Sequence, residues 1–166
     1  PGGGAAAALC AATAVALVEM VTRINEKKRS SPPVAKIRRR LQDLMTEDAK
    51  AFARISTLHK KGDKGPVFLK ALKEGADCPE EICRLVSEAS SYAVKQKNKT
   101  SRWLISDLKE AAVLLPAAFE AARFTVEVNL RSLEDEGRVG KVRSRLAAYE
   151  KKLRSNCRAI LEGFHE

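Results

Sequence analysis

Residues 103–133 read WLISDLKEAAVLLPAAFEAARFTVEVNLRSL, and two readings of them compete. Locally, RFTVEVNL (123–130) alternates apolar and polar residues like a strand, and its β-branched content agrees. Over the full stretch, Ile105, Leu108, Ala112, Leu115, Phe119, Ala122, Val126 and Asn129 follow steps of three and four, which places them on one face of a helix. The longer pattern predicts one long helix bent at Pro116, with the strand as fallback. That choice makes the chain all-α. It also leaves Asn129 as a polar residue in an apolar stripe, with Ser106 and Asp107 near the start of the helix.

Working outward, the 166 residues suit one ordinary domain with a real core. Aromatics make up 5% of the chain and glycine and proline are few, which favours helices over sheet. A second helix is expected from about Val34, after the break SSPP (30–33). Its stripe runs Val34, Ile37, Leu41, Leu44, Asp48, Ala51, Ile55 and Leu58. Asp48 occupies a core position in that stripe. A carboxylate there either pairs to fix register or carries a shifted pKa and a chemical task. KKGDKGP (60–66) reads as a loop, followed by a short helix VFLKALKEGA (67–76) and a break at DCP (77–79). The next helix starts at Pro79, and a last one from about Arg138 carries Val139, Val142, Leu146, Tyr149, Leu153, Cys157, Ile160 and Phe164 on one side. The expectation is a single-domain bundle of five or six mostly long antiparallel helices over residues 1–166.

The chain opens PGGGAAAALCAATAVALVEM (1–20). Glycines against alanines make a tight turn that opens a helix, and the free N–H groups at such a start suit a phosphate or carboxylate. The plainer reading of Gly2, Gly3 and Gly4 is the ragged start of an ordered segment. Because residue 1 is proline, further residues upstream are expected. The apolar run is mostly alanine, carries Thr13 and ends at Glu19, which fits a buried helix better than a membrane span or a signal peptide.

Cys10, Cys78, Cys83 and Cys157 have no zinc spacing, so no metal is expected, and a cytoplasmic, disulfide-free protein follows. The net charge of +10 allows nucleic acid, an anionic small molecule or solvated helix faces. No familiar nucleic-acid signature accompanies it, which puts solvated faces first and nucleic acid last.

PGGGAAAALCAATAVALVEMV, EDAKAFARI, ALKEGADCPEEI and SDLKEAAVLLPAAFEAARFTVEVNL together resemble the formiminotetrahydrofolate cyclodeaminases and related methenyltetrahydrofolate cyclohydrolases. The resemblance implies an all-helical homodimer acting on a tetrahydrofolate derivative in a cleft around the glycine turn, with no tightly bound cofactor. It implies closure of a formimino group with loss of ammonia, or interconversion of methenyl and formyl folates by water. Such chemistry needs a carboxylate, a base and an acid near a cationic carbon. By the same resemblance Asp107 or Asp48 is the acid/base carboxylate. Ser106 and Asn129 orient the pterin or one-carbon unit, Gly2, Gly3 and Gly4 form the turn, and Asn98 is the remnant of a loop motif. Lys27 and Lys28 resemble a basic run that holds the glutamate tail; a solvated helix end is the competing reading. The chain departs from the pattern at Arg23, at Thr46 and above all in KNKTSRWLISD (97–107), which lacks a glycine and inserts Arg102 and Trp103. An altered folate- or anion-binding dimer without turnover is therefore the alternative function.

Overall fold

The computed structural model describes residues 2–27, 32–131 and 135–164. Five α-helices carry them: α1 Gly3–Glu26, α2 Val34–Lys60, α3 Pro66–Gln96, α4 Ile105–Arg131 and α5 Glu136–Leu161. Two short 3-10 turns, Lys97–Lys99 and Arg102–Leu104, link α3 to α4. No strand occurs among the described residues, and 123–130 are helical. Helical spacing therefore wins over local alternation, because it buries Phe119, Ala122, Val126 and Leu130 on one side of α4.

Side-chain contacts fix the directions. Cys10 Sγ lies 3.9 Å from the Leu114 carbonyl, while a Cβ on Gly3 would sit 3.5 Å from Thr125 Oγ1, so α1 and α4 run antiparallel. Glu19 to Arg38 and Ala5 to Asp48 make α1 and α2 antiparallel. Arg40 to Glu81 and Arg54 to Glu74 do the same for α2 and α3. Cys83 reaches the Phe119 carbonyl and Asn129 the Gly75 carbonyl, which sets α4 against α3. Arg143 to Glu127 and Arg154 to Glu120 reverse the chain once more into α5. The result is an up-down bundle in which all five helices contribute to one apolar core.

α1 is long and apolar enough to cross a bilayer by length and composition. In the bundle it packs against α2, α3 and α4. Ala7, Ala8, Ala11, Ala14, Val15 and Val18 are almost fully enclosed; small side chains let its neighbours come close.

One expected break is absent. Residues 66–96 form a single helix that passes through Pro79, with no interruption at DCP. Proline inside a helix leaves the carbonyl four residues earlier without its donor. Here that carbonyl is Gly75, and Asn129 Nδ2 donates to it at 3.0 Å. A side chain from α4 thus supplies the bond that α3 cannot make.

Most of the described arginines are paired. Arg40, Arg54, Arg84, Arg123, Arg138, Arg143, Arg145 and Arg154 all contact carboxylates on their own or neighbouring helices. Exposed pairs of this kind contribute about 0–1 kcal/mol each.

Candidate active site

Four helices meet at a cavity of about 180 Å³. α1 contributes Gly3 and Gly4, with Gly2 as its N-cap; α2 contributes Asp48, Ala51, Phe52 and Ile55; α3 contributes Gly75; α4 contributes Thr125, Val128 and Asn129. Asp48, Ala51, Phe52 and Ile55 share a helix face by their spacing of three and four. The bundle therefore brings Asp48, Asn129 and the glycine turn together.

Gly2 offers no side chain to cap α1, and Asp48 takes that role from α2. Its carboxylate accepts a hydrogen bond from the Ala5 backbone N–H, one of the donors a helix start leaves unpaired. A methyl group on Gly4 would run into the Asp48 carboxyl, with Cγ 2.5 Å from the added carbon. This close approach explains the glycine. The anion expected at the turn is thus the chain's own carboxylate.

Asp48 is 8% exposed. Burial pushes its carboxyl above the usual range, and the Ala5 N–H only partly counters this. Among the described residues no guanidinium or ammonium side chain lines the cavity. A carboxyl held so binds a proton more readily than a surface one, which suits an acid/base role.

Ser106 and Asp107 lie elsewhere in the subunit. They sit in the first turn of α4, whereas Asn129 sits in its last; along one helix the separation is about 33 Å. Asn98, exposed in the first 3-10 turn, and Lys27, exposed at the end of α1, belong to that same far end. Lys27 adopts a left-handed φ of 51° as the C-cap of α1, where a cation complements the helix dipole. Lys28 lies outside the described residues.

The far half of α1 holds a second enclosed carboxylate. Glu19 is held by Arg38 Nε at 2.7 Å and by Arg23 Nη2 at 2.8 Å. Burial alone would raise its carboxyl, but the two guanidiniums outweigh that and hold it below the ordinary value. Nearby, Asn25 Nδ2 donates to Gln96 Oε1 at 3.1 Å and to Thr100 Oγ1 at 3.2 Å, tying the end of α1 to the end of α3. Among the described residues no group of three or more His, Cys, Asp or Glu side chains is placed to hold a metal ion.

The family model for formiminotransferase-cyclodeaminase matches residues 1–148. The chain belongs to that family. A methenyltetrahydrofolate cyclohydrolase of Methylorubrum extorquens is 29% identical over 154 residues, covering 81% of this chain and 74% of that protein. A formimidoyltransferase-cyclodeaminase of Rattus norvegicus is 24% identical over 180 residues, covering 97% of this chain; the match spans 33% of the rat protein. Among solved structures, the crystal structure of formiminotetrahydrofolate cyclodeaminase from Thermotoga maritima superposes with a TM-score of 0.88. Its sequence identity is 27%, with 98% of this chain and 88% of that one covered.

Within this family member, six cavity residues, Ala51, Phe52, Ile55, Gly75, Thr125 and Val128, were not anticipated as site residues from sequence, and three of them are instructive. Thr125 hides in the strand-like alternation of 123–130. Phe52 follows Asp48 by four on the same face and is 65% exposed at the cavity's edge. Gly75 stands four residues before Pro79, a spacing that signals a carbonyl in need of a partner.

Proposed function

We propose that this protein transforms a one-carbon unit on tetrahydrofolate, by cyclodeaminase or cyclohydrolase chemistry, at a site completed by a second copy of the chain. The observation that carries the reading is the Asp48 carboxyl, buried against the glycine turn and facing a cavity it shares with Asn129. The relatives named above act in this chemistry and support it. In the cyclodeaminase reaction the neighbouring folate nitrogen attacks the formimino carbon, a carbon–nitrogen bond forms, and ammonia leaves. In the cyclohydrolase reaction water adds to the methenyl carbon and one carbon–nitrogen bond opens to give the formyl product. Both pass through a cationic or tetrahedral carbon flanked by nitrogens. An aspartate of raised pKa serves both, stabilising the positive charge when ionised and protonating the leaving nitrogen when neutral.

One subunit offers too little. Its cavity of about 180 Å³ falls below the roughly 300–1,000 Å³ of ordinary small-molecule sites. The missing wall is read from α4, whose outward face carries Ser106, Glu110, Val113, Ala117, Ala121, Phe124 and Val128, all exposed. Beside it α1 exposes Ala6, Leu9, Thr13, Ala16 and Ile24. The α4 series is symmetric about Ala117. Two antiparallel copies of α4 crossing there, one of the arrangements an isologous two-fold contact allows, would bring the partner's Asp107 to the level of Asn129. Both carboxylates then serve one site. The free thiols at Cys10, Cys78, Cys83 and Cys157 accord with a cytoplasmic enzyme, and neither reaction calls for a tightly bound cofactor.

Purified protein with 5-formimino- or 5,10-methenyltetrahydrofolate tests the reading through the methenyl absorbance. Growth of that band with ammonia release marks the cyclodeaminase, and its decay marks the cyclohydrolase. A folded dimer that changes neither substrate overturns the enzymatic reading. The rebuilt segment 97–104, with Trp103 77% exposed, favours one second reading: a folate-binding dimer without turnover, recognised by calorimetric affinity for the same compounds.

A further inference from the structure

Among the described residues Asn129 makes one hydrogen bond, from Nδ2 to the Gly75 carbonyl. That carbonyl is available because Pro79, four residues on, has no N–H to give it. A carbonyl accepts and never donates, so the Asn129 amide has one possible orientation there, nitrogen toward Gly75. Its Oδ1 is the other fork of the same planar group. No buried side-chain polar atom among the described residues lacks a partner; Oδ1, unbonded among the described residues, is therefore not enclosed, and Asn129 lines the cavity. A Cβ at Gly75 would sit 2.7 Å from Ile55 Cδ1, so the glycine lets α2 pack close to α3 at this point. Pro79 itself is buried and does not line the cavity.

We infer that Pro79 is a positioning residue: by withholding a backbone N–H it keeps the Gly75 carbonyl for Asn129, and so locks Asn129 with its amide oxygen toward the ligand. The functional meaning rests on the reading of the cavity as the folate site. It adds the ligand chemistry at this point, an N–H donor. Thr125 agrees, because its hydroxyl donates back to the Ala121 carbonyl at 3.4 Å, leaving oxygen lone pairs for the cavity. If residue 79 carried an N–H, α3 would close its own bond to Gly75. The Asn129 amide would then be released to rotate.

Pro79→Ala in the full chain tests this, because alanine restores the N–H and suits a helix. The expected result is unchanged or raised thermal stability, with loss of the distinct hydrogen-bonded Asn129 side-chain NH₂ signal in ¹H–¹⁵N spectra. KM for the reactive folate rises about tenfold, the scale of one hydrogen bond, with a smaller change in kcat. In an Asn129→Ala background, Pro79→Ala changes KM no further. Pro79→Ser, which also restores the N–H, gives the same pattern. An unaltered Asn129 signal in folded Pro79→Ala, or an equal KM effect in both backgrounds, overturns the inference. The spectra need no substrate, so they decide the relay even if wild-type protein turns over neither folate.

Discussion

The two halves of α1 each bury a carboxylate, and they treat it in opposite ways. At the start, Asp48 meets a backbone N–H and a cavity, and burial raises its carboxyl. Toward the end, Glu19 is clamped between Arg23 and Arg38 and held ionised. A carboxylate with two guanidiniums has no proton to exchange near neutral pH and serves to join α1 to α2. One with a single amide and an open side keeps its chemistry available. Burial alone does not mark a functional acid; what shares the burial does.

The largest expected effect breaks the dimer that would unite the two ends. Ala117→Arg, at the centre of the exposed α4 stripe, should leave helical content intact, give monomers in sedimentation, and abolish turnover at ordinary enzyme concentration. Asp48→Asn comes next. The amide oxygen can still accept from Ala5, so stability should change by less than about 1 kcal/mol. Turnover should fall about 100- to 10,000-fold, the range for a lost acid/base group. Glu19→Gln should do the reverse, costing about 3 kcal/mol in denaturant unfolding, the low end for a broken buried pair because both arginines reach solvent. Its kcat, measured on the protein that remains folded, should stay within about twofold of wild type if Glu19 only joins helices.

A smaller effect is the pH dependence of stability, which should have opposite signs at the two carboxylates. Glu19 has a lowered folded pKa, so its contribution is present above the ordinary glutamate value near 4.5 and is lost as pH falls through the folded value. Asp48 has a raised one, so its contribution is present below the ordinary aspartate value near 3.8 and is lost as pH rises through the folded value. Glu19→Gln should therefore flatten the acid limb of the stability curve. Asp48→Asn should remove the loss that wild type shows on the upper side of the carboxylate range.

Much of this contrast was legible in the sequence. Steps of three and four isolated Asp48 and Asn129 as polar intruders in apolar stripes, and the same steps overruled the strand-like 123–130. The glycine turn was legible as a donor-rich helix start, though its occupant was not, because Asp48 lies more than forty residues away on α2. The false break at Pro79 has the same origin. The group that compensates the proline, Asn129, comes from another helix fifty residues on. The distance between Asp107 and Asn129 was implicit in the long helix itself, at about 1.5 Å per residue. Family-like motifs concealed it, since they name residues without saying which subunit supplies them.

The central claim is that Asp48 of one subunit and the partner's Asp107 serve one site. Differently tagged Asp48→Asn and Asp107→Asn proteins, each inactive alone, should be unfolded together, refolded and assayed for folate turnover. In a mixed dimer one site carries both substitutions and the other none, so a statistical mixture should recover about one quarter of wild-type activity. Mixed dimers confirmed by their tags but no more active than either parent would contradict the account.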